Sequence, residues 1–469
     1  MGKKLMLAVA MVALMAVPSF AAVQNVKVSG DITETSVIRN FGLTYQGAGM
    51  QNEVLSQVNL KVAADLTDNV STVIKLQNER LWGTGNQTSA TDAGTGIVLD
   101  TAYVSMKELL YSPLTLTVGR QPLAYGNQLI IGDGDNLTKV GAISDLTGGV
   151  NFDAIKAVLA YEPLTIDLFA ARTNNGPTDT VALGTVNATN DNQNLYGINA
   201  NYKMGDKMST VVEGYMFAKI DNNARTYNAT PNVKQGTTYT PGLRVSTNPI
   251  EGLNVQLEGA YQFGQVRNTG DNSMWNRDAF AVQSKVNYAL PVMKNLKPVL
   301  GAAYTYLSGN KTYEGSTKTT AWDSMFQNQN VGRIYHALSL DLSNAQLATA
   351  SIEVTPLKDL TAALSATGVW NAQKAAYSGA VDAAVNSSKY QGVEGDLDLT
   401  YAYTEDVKFG VSAGYFITGK TYVPSDVDGD QPTSGNKNAS QVLTSASAFM
   451  ARSRFTFLPG VRCFNVVAS

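Results

Sequence analysis

Three carboxylates, Glu394, Asp396 and Asp398, stand at alternate positions and are interleaved with Val393, Leu397, Leu399 and Tyr401. In an extended strand successive side chains point to opposite faces, so the acids share one face and the aliphatics the other. Such a face offers fixed negative charge to water, either as a ladder that attracts cations or as a solvated wall paired with neighbouring lysines and arginines. Near the other end of the charge scale, Phe449-Met-Ala-Arg-Ser-Arg-Phe-Thr-Phe457 sets Phe449, Phe455 and Phe457 against Arg452, Arg454 and Thr456. Arg120 follows Val118-Gly119. Strict alternation places it with Leu116 and Val118, whereas a bulge at Gly119 turns it the other way. It is therefore either a constriction residue or an arginine at a membrane rim. His336 is the sole histidine, beside Arg333 and Tyr335 in a long polar stretch, and reads as a solvated loop residue. One histidine is a poor start for a His-ligated metal or a Ser–His nucleophile. Asp426-Val-Asp-Gly-Asp430 has part of a calcium-loop pattern but lacks the spacing and the terminal Glu, so it reads as a turn. No enzyme, cofactor or metal is expected.

What positions such faces is a wet-sided sheet. Val255-Gln-Leu-Glu-Gly-Ala-Tyr-Gln-Phe263 repeats the scheme, with Val255, Leu257, Tyr261 and Phe263 against Gln256, Glu258 and Gln262, and Phe409, Val411, Tyr415 and Ile417 continue it. Carboxylates opposite aliphatics are costly in a dry sandwich core and cheap against a water-filled lumen. Tyr103, Tyr161, Tyr202, Tyr288 and Tyr401 fall at strand ends, where interfacial girdles form. Only 16% of residues are charged, below the quarter or so usual for soluble domains. Residues 1–21 carry Lys3 and Lys4, a short apolar run and small residues around Ala21, which reads as a cleavable secretory signal. Beyond it no apolar run approaches the ~20 residues of a helical span, so any crossing is by strands. The net charge of −3, or −5 once Lys3 and Lys4 leave with the signal, excludes a nucleic-acid footprint. The lone Cys463 excludes an internal disulfide framework.

Short turn-like connections at 65–70, 110–113, 161–163, 204–208, 248–252, 290–295, 355–359 and 403–406 alternate with long Gly, Asn, Thr and Ser-rich segments. The long ones are about 40–53, 82–97, 122–150, 173–192, 221–236, 266–277, 308–346, 372–389 and 419–439. Seventeen connections give about eighteen strands. The expected fold is an all-β transmembrane, antiparallel up-and-down barrel over residues 22–457, with short periplasmic turns and long outer loops. Residues 458–469 are expected to dangle as a short extension, because Pro459 stops a strand. Alternation makes Lys75, Lys107, Lys156, Arg244, Lys285, Arg452 and Arg454 lumen-facing, together with Glu79, Asp167, Glu258, Glu394, Asp396 and Asp398. Arg120 joins them if the bulge forms. The loops at 122–150 and 308–346 are long enough to fold inward and narrow the bore.

Val118-Gly-Arg-Gln-Pro-Leu-Ala-Tyr-Gly126, followed by Ile131-Gly132-Asp133, resembles the alginate-export family of outer-membrane porins, as do Asp323-Ser-Met-Phe326 and Glu394-Gly-Asp-Leu-Asp-Leu399. The resemblance implies an outer-membrane channel passing saccharides. The residues themselves imply passive passage of small polar solutes or of oligo- or polysaccharide, with membrane lipid as the surrounding partner. Because inward charges of the two signs nearly cancel, weak ion selectivity is expected. The other reading is a non-conducting scaffold that acts through its long loops. Solute identity and oligomeric state are not legible.

Overall fold

The computed structural model describes residues 24–40, 51–83, 96–133, 151–175, 192–221, 235–267, 273–310, 317–329, 331–338, 342–374, 389–419, 447–457 and 462–464. Eighteen antiparallel strands form its wall. They are β1 (Gln24–Asn40), β2 (Gln51–Thr67), β3 (Val70–Leu81), β4 (Ile97–Lys107), β5 (Leu114–Gln121), β6 (Phe152–Tyr161), β7 (Leu164–Asn175), β8 (Asn192–Lys203), β9 (Val211–Asp221), β10 (Gly236–Ile250), β11 (Leu253–Arg267), β12 (Met274–Ala289), β13 (Val299–Leu307), β15 (Ala345–Leu357), β16 (Leu360–Asn371), β17 (Tyr390–Ala402), β18 (Val407–Thr418) and β19 (Ser447–Phe457). A two-residue strand, β14 (Lys318–Thr319), bridges to β12 from the long segment after β13. Each wall strand pairs with its sequence neighbour, and β19 closes the sheet on β1 from Ile32↔Phe457 to Asn40↔Phe449. Closure satisfies the edge that hydrocarbon cannot hydrogen-bond. No helix among the described residues is long and apolar enough to cross a membrane, so the crossing is by strands.

The period-two pattern sorts the wall. Leu257, Tyr261 and Phe263 are exposed on the outside, while their neighbours Glu258 and Gln262 are buried inside. On β17 and β18, Leu397, Leu399, Tyr401, Val411, Tyr415 and Ile417 face out, and Glu394, Asp396 and Phe416 are buried. Outward apolar surface costs nothing when the solvent is lipid, so the usual burial rule is inverted. The connections fall where the turn residues put them: all eight short turns join strands at one end, and the strand ends that lead into the long segments are at the other. At one short turn Asp206 accepts from both Thr210 N and Oγ1 at 2.7 Å, which locks the β8–β9 connection.

Two expectations are corrected. Tyr103 lies opposite Gly119 in the row that continues through Ser105 and Thr117, whose hydroxyls meet at 3.3 Å on the lumen side, so it is not part of a lipid-facing girdle. The C-terminal extension does not simply dangle: β20 (Arg462–Phe464) returns to β1 and pairs Val26↔Phe464 to Val28↔Arg462, just below the β19 ladder.

Candidate functional site

The described parts of the two long segments after β5 and β13 fold into the barrel and meet there. The first leaves β5 at Gln121 and buries Leu123, Tyr125, Leu129, Ile130 and Ile131. Tyr125 stacks on Phe169 of β7 at 5.4 Å and packs against Phe217 of β9 at 5.6 Å, and its hydroxyl reaches Asp167 at 3.4 Å. Burial and the Asp167 charge push the phenol above its ordinary pKa, so Tyr125 is a permanent donor. The tip of the segment is held by wall carboxylates: Gly126 N donates to Glu213 at 2.9 Å and Asn127 N to Glu258 at 2.6 Å. Tyr215 hydroxyl adds a bond to Glu258 at 2.7 Å. Arg244 stands between these acids in register, opposite Glu213 on one side and Glu258 on the other. It donates to Glu213, Gln256 and Asn127 Oδ1, the last at 2.6 Å. Gly126 has φ of +60°, and a Cβ there would sit 2.5 Å from the Glu258 carboxylate. Only glycine lets the backbone come this close.

The second segment lies across the first. Phe326 N donates to Ile130 O at 2.9 Å, Gly132 N to Phe326 O at 2.8 Å and Asn328 N to Gln128 O at 2.9 Å, a ladder inside the bore. Gln262 of β11 clamps Asp323 through both its main-chain groups, at 2.8 and 2.9 Å. Lys219 pairs with the Asp323 carboxylate and Arg277 lies 3.7 Å from it. Burial opposes the charge on Asp323, but those two cations outweigh it and hold its pKa down at about 2. Further on, the short helix α1 (Arg333–Leu338) docks on β17: Ile334 N and Tyr335 N donate to Glu394 at 2.6 and 2.8 Å. Arg333 forms an ion pair with Asp398, which also accepts from Ser412 at 2.6 Å. Gly332, at φ of +104°, again leaves no room for a Cβ beside the carboxylate it faces, Glu394 at 2.6 Å.

Between the two segments and the β12–β15 wall remains a cavity of about 560 Å³. Its polar lining is amide and hydroxyl, from Gln128, Gln283, Asn328, Gln329 and Thr305, with Lys285 as its charged group. Lys285 makes no ion pair or hydrogen bond among the described residues.

The expected lumen residues separate into groups. Lys75 pairs with Asp100 at 2.9 Å, and Glu79 accepts from Gln57 and Gln77. Lys156 lies in the row of Thr117 and Phe169, on the lumen side with buried Ala154. Lys107, exposed, faces Thr115 at the turn end of β4. Arg244, Glu258, Glu394 and Asp398 hold the inward segments, Glu258 and Glu394 fully buried and Asp398 partly exposed, and Asp396 is buried beneath α1 with Glu394. Arg452 and Arg454 stand opposite Ser412 and Gly410 in register. Arg120 is a correction. The ladder runs through Gly119 without a shift, Gly119↔Ala154 and Arg120↔Asp153, so Arg120 stays on the outward face with Val118. His336 is corrected too: it sits in α1 inside the barrel, half-buried, with Nδ1 unpartnered. The Asp426–Asp430 stretch, at 426–430, lies outside the described residues.

Sequence reasoning missed the lumen aromatics Phe169, Tyr215 and Phe217, since an aromatic on a barrel strand reads as lipid-facing. The available signal was glycine across the ladder. A Cβ on Gly197 would meet Phe169 at 2.2 Å, and one on Gly242 would meet Tyr215 at 2.2 Å.

A closed eighteen-strand barrel with a lipid-facing exterior, short turns at one end and inward-folded loops defines an outer-membrane porin. Solved structures agree in fold. Over 92% of this chain and 95% of that one, OccK11 (OpdR) of Pseudomonas aeruginosa superposes with a TM-score of 0.53 at 11% identity. OccK5 (OpdH) of the same organism gives 0.54 over 93% and 98% at 10% identity. A BenF-like porin from Pseudomonas fluorescens gives 0.53 over 93% and 99% at 11% identity. No curated protein matches in sequence. The alginate export family matches residues 26–430, and the chain belongs to that family.

Proposed function

We propose that this porin passes small polar, hydroxyl-rich solutes and short saccharides passively. The observation that carries this is the amide- and hydroxyl-lined cavity of about 560 Å³ beside Lys285. Its volume is that of a small-molecule site, and side-chain amides match sugar hydroxyls as both donors and acceptors. Glu213, Glu258, Glu394 and Asp398 are taken up in holding the loops, and Lys285 is the charged group that lines this cavity. A single half-buried cation gives a weak preference for anions rather than the strong one of a conduit lined by one sign.

Liposomes carrying the purified barrel test this with neutral sugars of rising size. Swelling that declines with solute size is expected; a folded barrel that gives no swelling returns the scaffold reading. Lys285→Glu should shift the zero-current potential under a salt gradient toward cations, because a wall charge sets ion concentration within about a Debye length, ~8–10 Å.

A further inference from the structure

The outside of the wall between β5 and β10 departs from a plain lipid-facing surface. Directly opposed residues define rows across these strands. One row runs Val118, Ile155, Ala170, Tyr196, Ala218, Tyr239, and the next one below runs Leu116, Ala157, Leu168, Ile198, Met216. Ala157, Ala170 and Ala218 are low points among large side chains, and they floor an apolar groove of about 650 Å³ walled by Ile155, Leu168, Tyr196, Ile198 and Tyr239.

The row above is charged: Arg120↔Asp153↔Arg172↔Asn194, all on the outward face. Arg120 Nε is tied to Asp100 O at 3.1 Å, and its Nη1 reaches Asp153 at 3.4 Å. Arg172 is exposed, donates to Asn194 Oδ1 at 3.3 Å and has no acidic partner among the described residues. Two guanidinium groups thus flank one carboxylate, and one positive charge is left over. Alternate strands lie about 10 Å apart, so the pair spans a phosphate-bearing headgroup.

Height decides what meets this row. Asp153 stands eight residues above Tyr161 of the turn-end girdle, or about 26 Å along the strand at ~3.3 Å per residue. At a tilt of about 40° that is about 20 Å of membrane depth, close to the ~25 Å apolar band of such barrels. The arginines therefore sit at the headgroups of the outer leaflet, with the groove descending from them into the acyl layer.

We propose that this wall holds one lipid of the outer leaflet, an acylated and phosphorylated saccharide lipid of the lipid A type, with a phosphate between Arg120 and Arg172 and an acyl chain in the groove over Ala170 and Ala157. Charge complementarity at the top and shape below select the same molecule. The site is separate from the lumen, so it stands or falls independently of what the channel passes.

The test is native mass spectrometry of the full barrel in detergent, titrated with bis-phosphorylated lipid A, with the same lipid freed of its phosphates, and with phosphatidylglycerol. The wild type should retain lipid A in preference to both others. Arg120→Gln with Arg172→Gln should weaken retention roughly tenfold, as expected for losing charged hydrogen bonds to a phosphate. Ala170→Trp should weaken it by filling the groove. Asp153→Asn, which removes the competing carboxylate, should strengthen it and decides the matter if the double variant does not fold, as judged by heat-shifted gel mobility. Equal retention of dephosphorylated lipid A, equal retention of phosphatidylglycerol, or no change in Asp153→Asn would overturn the assignment.

Discussion

At the first inward loop, Glu213 and Glu258 come from two strands, and their countercharge Arg244 comes from the strand between them. At the second, Glu394 and Asp398 come from one strand, and the countercharge Arg333 comes from the loop itself. Each anchor presents carboxylates to main-chain N–H groups beside a glycine of positive φ, Gly126 or Gly332. The difference lies in what remains if the loop leaves. The first anchor keeps Arg244 between its two acids and stays partly compensated. The second is left with Glu394, Asp396 and Asp398 on one face, three acids at alternate positions without Arg333. Mutual repulsion then favours return of the loop, so the second strap is held electrostatically as well as by hydrogen bonds.

The largest effect to separate the two anchors is expected from Glu394→Ala. It leaves Ile334 N and Tyr335 N buried without acceptors, at about 1–3 kcal/mol each. Amide exchange over 331–338 should rise sharply while that of 123–132 stays slow. Glu258→Ala should do the converse, and parallel loosening of both loops would show that they move as one body.

Next come the glycines. Gly126→Ala and Gly332→Ala each place a Cβ within 2.5–2.6 Å of a carboxylate at a left-handed φ, a strain on the order of 1–3 kcal/mol. Heat-shifted gel mobility should report lowered unfolding temperatures for both. The Gly332 variant should recover more in high salt, because screening relieves the acid cluster once α1 lifts.

The smallest effect is in pH. Asp323 has a folded pKa of about 2, below its ordinary 3.8. A depressed acid contributes stability that is fully present above about pH 4 and is lost as pH falls through 2. Protection of 320–326 should therefore fade between pH 4 and 2. It should not do so in Asp323→Asn, which removes the titrating group, although that variant starts from lower protection.

The wall was legible because period-two alternation and turn chemistry act locally. Leu257, Glu258, Leu397 and Asp398 all declare their faces within a few residues, and the loops at 122–150 and 308–346 declare themselves by length. The roles of the lumen residues were not legible. Whether Glu258 is a wall charge or a loop acceptor depends on Asn127, more than a hundred residues away, and alternation contains no such term. Arg120 shows the same limit from the other side. Its face follows from strict alternation, but a glycine neighbour licenses a bulge that only the observed register excludes. The count of inward charges likewise could not tell wall from anchor: Glu258 and Glu394, read as wall charges, accept hydrogen bonds from the loops.

Single-channel conductance in a planar bilayer, compared between wild type and Glu394→Ala, tests most directly whether the two loops narrow an otherwise open bore. Discrete steps in the wild type and larger steps in the variant are expected. A correctly folded wild type that stays silent, or steps that Glu394→Ala leaves unchanged, would contradict the account.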